Sequence, residues 1–378
     1  MRVVIAIDSF KGSLSSYKAG KAVRDAIIKV NKDADVIIKP LADGGEGTTD
    51  VFSSYYDAEI VELTVKGPLL SPVKAKYCII NNNTAVIEMA SASGITLISP
   101  EERNPLKTTT FGVGEMIKDA VERGCRKFII GIGGSATNDG GTGMLSALGF
   151  EFLDKNDNPV SFGAEGLEFI NKIRTDNVIP ELKDCIFSVA CDVTNPLCGE
   201  NGCSAVFGPQ KGATPEMIQD MDKWLHDFAR KTIELFPSSD KNLPGAGAAG
   251  GLGFAFASYL NGNLRPGIDI ILEATGIENE IMNSDIVVTG EGRLDSQTVM
   301  GKAPVGVARL AKKYNKKVIA FAGCVSDDAE ICNEYGIDAY FPILRNITTL
   351  DDAMNKDSAY KNLRDTAYQV FRLIKAGD

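Results

Sequence analysis

Lys127-Phe-Ile-Ile-Gly-Ile-Gly-Gly-Ser-Ala-Thr-Asn-Asp-Gly-Gly-Thr-Gly-Met144 opens as a short apolar, β-branched run, enters a glycine-dense turn and leaves on small and apolar residues. That order predicts a strand, a loop and a helix N-terminus. Gly131, Gly133 and Gly134 allow positive φ and a close approach to a ligand, while the unpaired N–H groups and the dipole of a helix start favour an anion, phosphate above all. Thr137, Asn138 and Asp139 suit capping, but three in a row before Gly140 and Gly141 exceed what a cap requires. A tight turn without a ligand is the competing reading.

Upstream, residues 3–7 read as a strand, followed by Asp8-Ser-Phe-Lys-Gly-Ser-Leu and a helix capped by a serine among 13–16. A second strand at 35–41 ends in Ala42-Asp-Gly-Gly-Glu-Gly-Thr-Thr, again polar and glycine-rich before a helix. Such a repeat predicts a parallel sheet wound by right-handed crossovers. Residues 59–65, 73–80 and 84–89 alternate or are β-branched and read as antiparallel sheet. The tail returns to the wound pattern with strands at 285–289, 317–321 and 339–343.

The expected architecture is therefore α/β: a doubly wound parallel-sheet domain of five or six strands assembled from 1–60, 106–150 and 281–378, with a mixed α/β domain inserted from 61–105 and 151–280. Ligands of such a sheet sit beyond the carboxyl ends of its strands, where the loops at 8–13, 42–49, 133–141 and 290–297 would all fall.

Composition excludes several classes. With 378 residues, 44% of them hydrophobic and 24% charged, the chain is an ordinary globular one of two domains. A net charge of −10 argues against nucleic acid or an anionic membrane as partner. The apolar start is too short for a signal peptide, and no run approaches the roughly 18 residues of a membrane span. The eight cysteines are scattered, and Cys191, Cys198 and Cys203 match no common zinc or disulfide frame, so reduced cytoplasmic thiols are expected. The single histidine, His226, falls on the polar side of an amphipathic helix, which excludes a histidine-based triad.

Two segments match a dinucleotide fingerprint, but Gly245-Ala-Gly-Ala-Ala-Gly lacks a preceding strand and Gly131-Ile-Gly-Gly-Ser-Ala lacks a proper following one. A nicotinamide-dependent oxidoreductase of a hydroxy acid is thus the weaker alternative. No Walker A or protein-kinase signature is present. The loops nevertheless supply what phosphoryl transfer requires: backbone cradles, the isolated cations Lys11, Lys211, Arg293 and Lys302, and the carboxylates Asp8, Asp43, Glu46, Asp139, Asp192, Glu291 and Asp295.

Six blocks, Asp8-Ser-Phe-Lys-Gly-Ser-Leu, Ala42-Asp-Gly-Gly-Glu-Gly-Thr, Gly131-Ile-Gly-Gly-Ser-Ala-Thr-Asn-Asp-Gly-Gly, Gly208-Pro-Gln-Lys-Gly-Ala, Gly247-Ala-Ala-Gly-Gly-Leu-Gly and Thr289-Gly-Glu-Gly-Arg-Leu-Asp-Ser-Gln, resemble the bacterial class I glycerate kinases in sequence and order. The resemblance implies ATP-dependent phosphorylation of D-glycerate, chiefly to 2-phosphoglycerate with the 3-isomer as alternative, in the cytoplasm. It also implies a flavodoxin-like domain with a second α/β domain inserted and an active site in the interdomain cleft. The chemistry then distributes roles. Lys11 and the backbone of Gly133, Gly134 and Ser135 would hold the ATP phosphates, joined by Ser9, Gly12, Thr137, Asn138 and Lys211. Arg293 would grip the glycerate carboxylate bidentately, with Asp43, Glu291 and Gln297 around the substrate. Asp192 and Asp295 would share the roles of general base and Mg²⁺ ligand, Asp43 standing behind them. The partners are then small molecules, and a homo-oligomer is compatible with this reading.

Overall fold

The structure, a computed structural model, describes residues 1–42, 44–45 and 47–377. The expected contacts of Asp43 with substrate therefore lie outside the described residues. Thirteen described strands follow one another along the chain: β1 (Arg2–Ile7), β2 (Asp35–Ile38), β3 (Glu59–Lys66), β4 (Pro72–Ile80), β5 (Thr84–Glu88), β6 (Lys127–Gly131), β7 (Glu151–Leu153), β8 (Lys172–Arg174), β9 (Ile186–Ala190), β10 (Asn263–Arg265), β11 (Ile286–Leu294), β12 (Lys317–Val325) and β13 (Ala339–Pro342). They build an α/β protein of two compact units, Met1–Asp43 with Pro266–Asp378, and Gly44–Arg265.

The first unit carries a five-stranded sheet in the order β13-β12-β11-β1-β2, parallel throughout. β1 is buried from Val3 to Ile7, as a central parallel strand covered on both faces must be. Helix Ser16–Val30 turns Ala19, Ala22, Val23, Ala26 and Ile27 inward and packs with helix Lys356–Gly377 through Leu363, Ala367 and Phe371. The capping serine is Ser15, whose hydroxyl accepts the Lys18 amide at 3.4 Å.

In the second unit a six-stranded mixed sheet runs β10-β9-β6-β5-β4-β3. β3, β4 and β5 are antiparallel as expected, while β5, β6, β9 and β10 are parallel. This corrects the expected division. β6 does not join the sheet of β1; it pairs with β5 through Val86↔Ile129 and with β9 through Ile129↔Ser188. The first sheet is assembled from two segments, not three, and the second unit is one continuous stretch. The reason is burial: Phe128 and Ile130 pack among Ala85, Ile87, Phe187 and Val189 in the core of the second unit, which satisfies both edges of the strand.

Among the described residues no helix is long and apolar enough to cross a membrane. All eight cysteines are unpaired, and His226 is exposed on helix Pro215–Leu235.

Candidate functional site

In the first unit, candidate residues gather where β1 and β11 end side by side. Ile7 pairs with Gly290, and the Asp8 amide donates to the Gly290 carbonyl at 2.9 Å. Asp8 is buried, and its carboxylate accepts the Ser9 amide at 2.6 Å. A tight turn closed by a bridge between Phe10 and Leu14 then carries Lys11 and Gly12 into solvent.

β11 continues past the pairing with β1 and sets out Glu291, Arg293 and Asp295. The Thr298 hydroxyl donates to Glu291 at 2.9 Å. Exposed Arg293 donates through Nε and Nη2 to Ser326 Oγ at 3.2 and 3.0 Å, and its Nε lies 3.4 Å from Asp295 Oδ2. Asp295 Oδ1 accepts the Gln297 amide at 3.0 Å and faces Lys302 Nζ at 3.6 Å. Both carboxylate oxygens are thus engaged, Lys302 being one of the cations expected near these loops, whereas Ser326 and Thr298 are partners that the motif alone did not single out. The pairing of β11 with β12, Leu294 opposite Val325, is what brings Ser326 there. The loop presents a guanidinium at the surface, held from behind, which suits an incoming carboxylate or phosphate.

The second unit places the quoted glycine loop after β6. Gly133 and Gly134 are exposed, Gly134 in the left-handed region at φ 75°. The Ile95 amide donates to the Gly134 carbonyl at 2.9 Å and the Ala136 amide to the Ser93 carbonyl at 2.9 Å, which pins the loop along residues 93–95. The amides of Gly133, Gly134 and Ser135 donate to no described residue. Three successive N–H groups without a described acceptor, one of them on a left-handed residue, are donors of the kind an anion can accept from.

Beyond Ser135 the loop turns inward. Thr137, Asn138 and Asp139 have no exposed surface, and Lys211 is 2% exposed. The side-chain contacts with nucleotide expected of Thr137, Asn138 and Lys211 are therefore not available in this structure. Lys211 Nζ donates to the Thr137 carbonyl at 2.7 Å, and Asn138 Nδ2 donates to Ser204 Oγ at 2.9 Å. Nor does a phosphate take the start of helix Thr142–Ala147, because Asp139 already does: its carboxylate accepts the Gly141 amide at 3.1 Å and the Gly143 amide at 3.3 Å. Burial pushes the Asp139 carboxyl up, opposed by these hydrogen bonds and those from Thr110. The anion the sequence calls for at this helix is internal.

The Gly247 block, which mimics a dinucleotide fingerprint, is the wall behind this loop. Ala249, Gly250 and Gly251 are all left-handed, and the Gly140 amide donates to the Gly250 carbonyl at 2.9 Å. A β-carbon on Gly250 would lie 2.1 Å from the Thr137 carbonyl oxygen, so no side chain fits between the two backbones.

Two carboxylates flank the free amides in strand order. Asp192 follows β9 and is exposed. Glu88 ends β5 opposite Gly131 and accepts the Thr49 amide at 2.7 Å; burial raises its carboxyl, countered by hydrogen bonds from Thr49 and Gly47. The sequence reading passed over Glu88, although its strand closes on a carboxylate just as residues 3–7 close on Asp8. Among the described residues, no group of three or more His, Cys, Asp or Glu side chains gathers as a metal-ligand set.

The model of the Glycerate kinase family matches residues 3–375. The chain is 46% identical to the Glycerate 2-kinase of Escherichia coli K12 over all of its own length and 99% of that protein, and 45% identical to the Glycerate kinase of Haemophilus influenzae over 99% of both. A candidate glycerate kinase 2 of solved structure, from Salmonella typhimurium LT2, superposes with a TM-score of 0.90 at 45% identity, covering 100% of this chain and 99% of that one. With the six glycine-rich blocks in order and a family match from end to end, the chain belongs to the glycerate kinase family.

Proposed function

We propose that this protein is an ATP-dependent kinase that transfers the terminal phosphoryl group of ATP to the 2-hydroxyl of D-glycerate, giving 2-phosphoglycerate. The observation that carries it is the unbroken likeness to the Escherichia coli Glycerate 2-kinase, 46% identical over the whole chain. The free amides of Gly133, Gly134 and Ser135 support a phosphate cradle on this reading. Lys11, Ser9 and Gly12, on the turn after β1, are proposed to take further phosphate oxygens. The order β2-β1-β11-β12-β13 supports a flavodoxin-like, doubly wound first unit, in which ligands favour the switch point between β1 and β11.

Arg293 is the proposed clamp on the glycerate carboxylate, aimed by Ser326, with Glu291 and Gln297 beside it. Asp295, on the same loop, is the proposed acceptor of the hydroxyl proton. Mg²⁺ in such enzymes is held by one or two carboxylates together with the nucleotide phosphates, so a lone protein carboxylate fits, and it supplies charge neutralisation when bound. Asp192, which follows β9 as the glycine loop follows the neighbouring β6, is the proposed carboxylate for that role. The unpaired cysteines support a reducing, cytoplasmic setting.

The test is ATP consumption with D-glycerate and Mg²⁺, the product being passed to enolase with and without phosphoglycerate mutase. A signal without mutase is expected. A mutase-dependent signal would move the reaction to the 3-hydroxyl, and no ATP consumption would overturn the kinase reading.

A further inference from the structure

Lys211 is a full-length ammonium side chain in the interior of the second unit, and the phosphoryl-transfer reading leaves it without a task. Among the described residues its only hydrogen-bond acceptor is the Thr137 carbonyl, at 2.7 Å. Keeping a cation out of water with one acceptor is unfavourable, and an apolar chain of the same reach would fill the space more cheaply. The position is nonetheless built for it. The single turn Pro209–Lys211 starts from Gly208 against helix Cys203–Phe207, and the chain reverses at Gly212 so that Lys211 alone points inward.

The carbonyl it holds lies two residues after Ser135, on the loop that offers three free amides. The same loop is fixed from two other sides: Gly250 lies against Thr137, and Asp139 is bound by the amide and hydroxyl of Thr110 at 2.8 and 2.9 Å. Burial disfavours the ammonium, and Cys203 and Asp139 are the titratable groups that act in its favour. The Thr137 carbonyl anchored by Lys211 and the Ala136 amide anchored on the Ser93 carbonyl are adjacent fastenings, and together they hold the C-terminal end of the stretch that carries the three N–H groups.

Resting on the assignment of this loop to nucleotide phosphates, we infer that Lys211 is a positioning residue for the amides of Gly133, Gly134 and Ser135, acting through the Thr137 carbonyl and never touching the nucleotide.

Lys211→Met and Lys211→Gln in the full-length protein test this. Gln keeps an uncharged donor, and serves if the Met variant does not fold. The expected result for Met is an ATP KM raised about tenfold with the glycerate KM within about twofold, together with about tenfold faster amide exchange over residues 132–141 in the absence of ligand. Gln should recover most of the ATP KM. Unchanged exchange in that segment overturns the positioning role, and so does a parallel rise of both KM values. Faster exchange with an unchanged ATP KM overturns the proposal through the loop's nucleotide assignment, while ATP consumption by the unaltered protein stands or falls separately.

Discussion

The carboxylate of Asp139 accepts both the amide and the hydroxyl of Thr110, at 2.8 and 2.9 Å. That one group ties the glycine loop to the start of helix Phe111–Glu122 and caps helix Thr142–Ala147 as well. Replacing it by alanine leaves at least two backbone amides buried without an acceptor. Asp139→Ala is expected to lose about 3 kcal/mol or more of unfolding free energy. Urea titration of the two proteins measures it, and a loss under about 1 kcal/mol would mean the loop has other support.

Lys211 makes stability depend on pH in a definite direction. Burial pulls its ammonium from the ordinary 10.5 to about 8. Between those values the unfolded chain holds a proton that the folded chain has released, so the contribution of this group rises with pH across that window and is lost as pH falls through about 8. The wild type should gain up to about 3 kcal/mol relative to Lys211→Met between pH of about 7 and 10.5. Unfolding free energies of both proteins across that range provide the check; parallel curves would refute it.

Arg293 and Asp295 should separate by which kinetic constant they move. Arg293→Lys keeps the charge but loses the fork, and a glycerate KM raised about tenfold with a smaller change in kcat is expected. Asp295→Ala is expected to lower kcat by at least about 10²-fold if it takes the hydroxyl proton. Should only the glycerate KM rise in Asp295→Ala, its part is to hold Arg293, and Asp192→Ala becomes the decisive variant.

Two glycines predict different failures. Gly134 is left-handed, yet an added β-carbon would sit 3.6 Å from Ala90 Cβ, an ordinary contact, so Gly134→Ala carries only a backbone cost of about 1–2 kcal/mol. At Gly250 the β-carbon would lie 2.1 Å from the Thr137 carbonyl oxygen, and the loop must move. Thermal melts should show a modest drop for Gly134→Ala and a severe one, or no soluble protein, for Gly250→Ala. Comparable drops would show that the two backbones can separate easily.

Much of this protein was legible in the order of its residues. Strand, loop and helix at 127–144 follow from a β-branched run, glycines and small residues, and the family follows from six blocks in sequence. Periodicity reports which residues prefer burial in a strand, not which partner buries them. Only the tertiary structure put β6 between β5 and β9, because that choice depends on side chains from residues 84–88 and 186–190 closing over Phe128 and Ile130. It likewise decided which polar residues of the loop face water. Lys211 among glycines reads the same as Lys11 among glycines, yet one is buried with its ammonium on a backbone carbonyl and the other is an exposed residue. Lys211 meets the Thr137 carbonyl 74 residues away in the chain, and the backbone of Gly250 lies against that same carbonyl, contacts that no local pattern records.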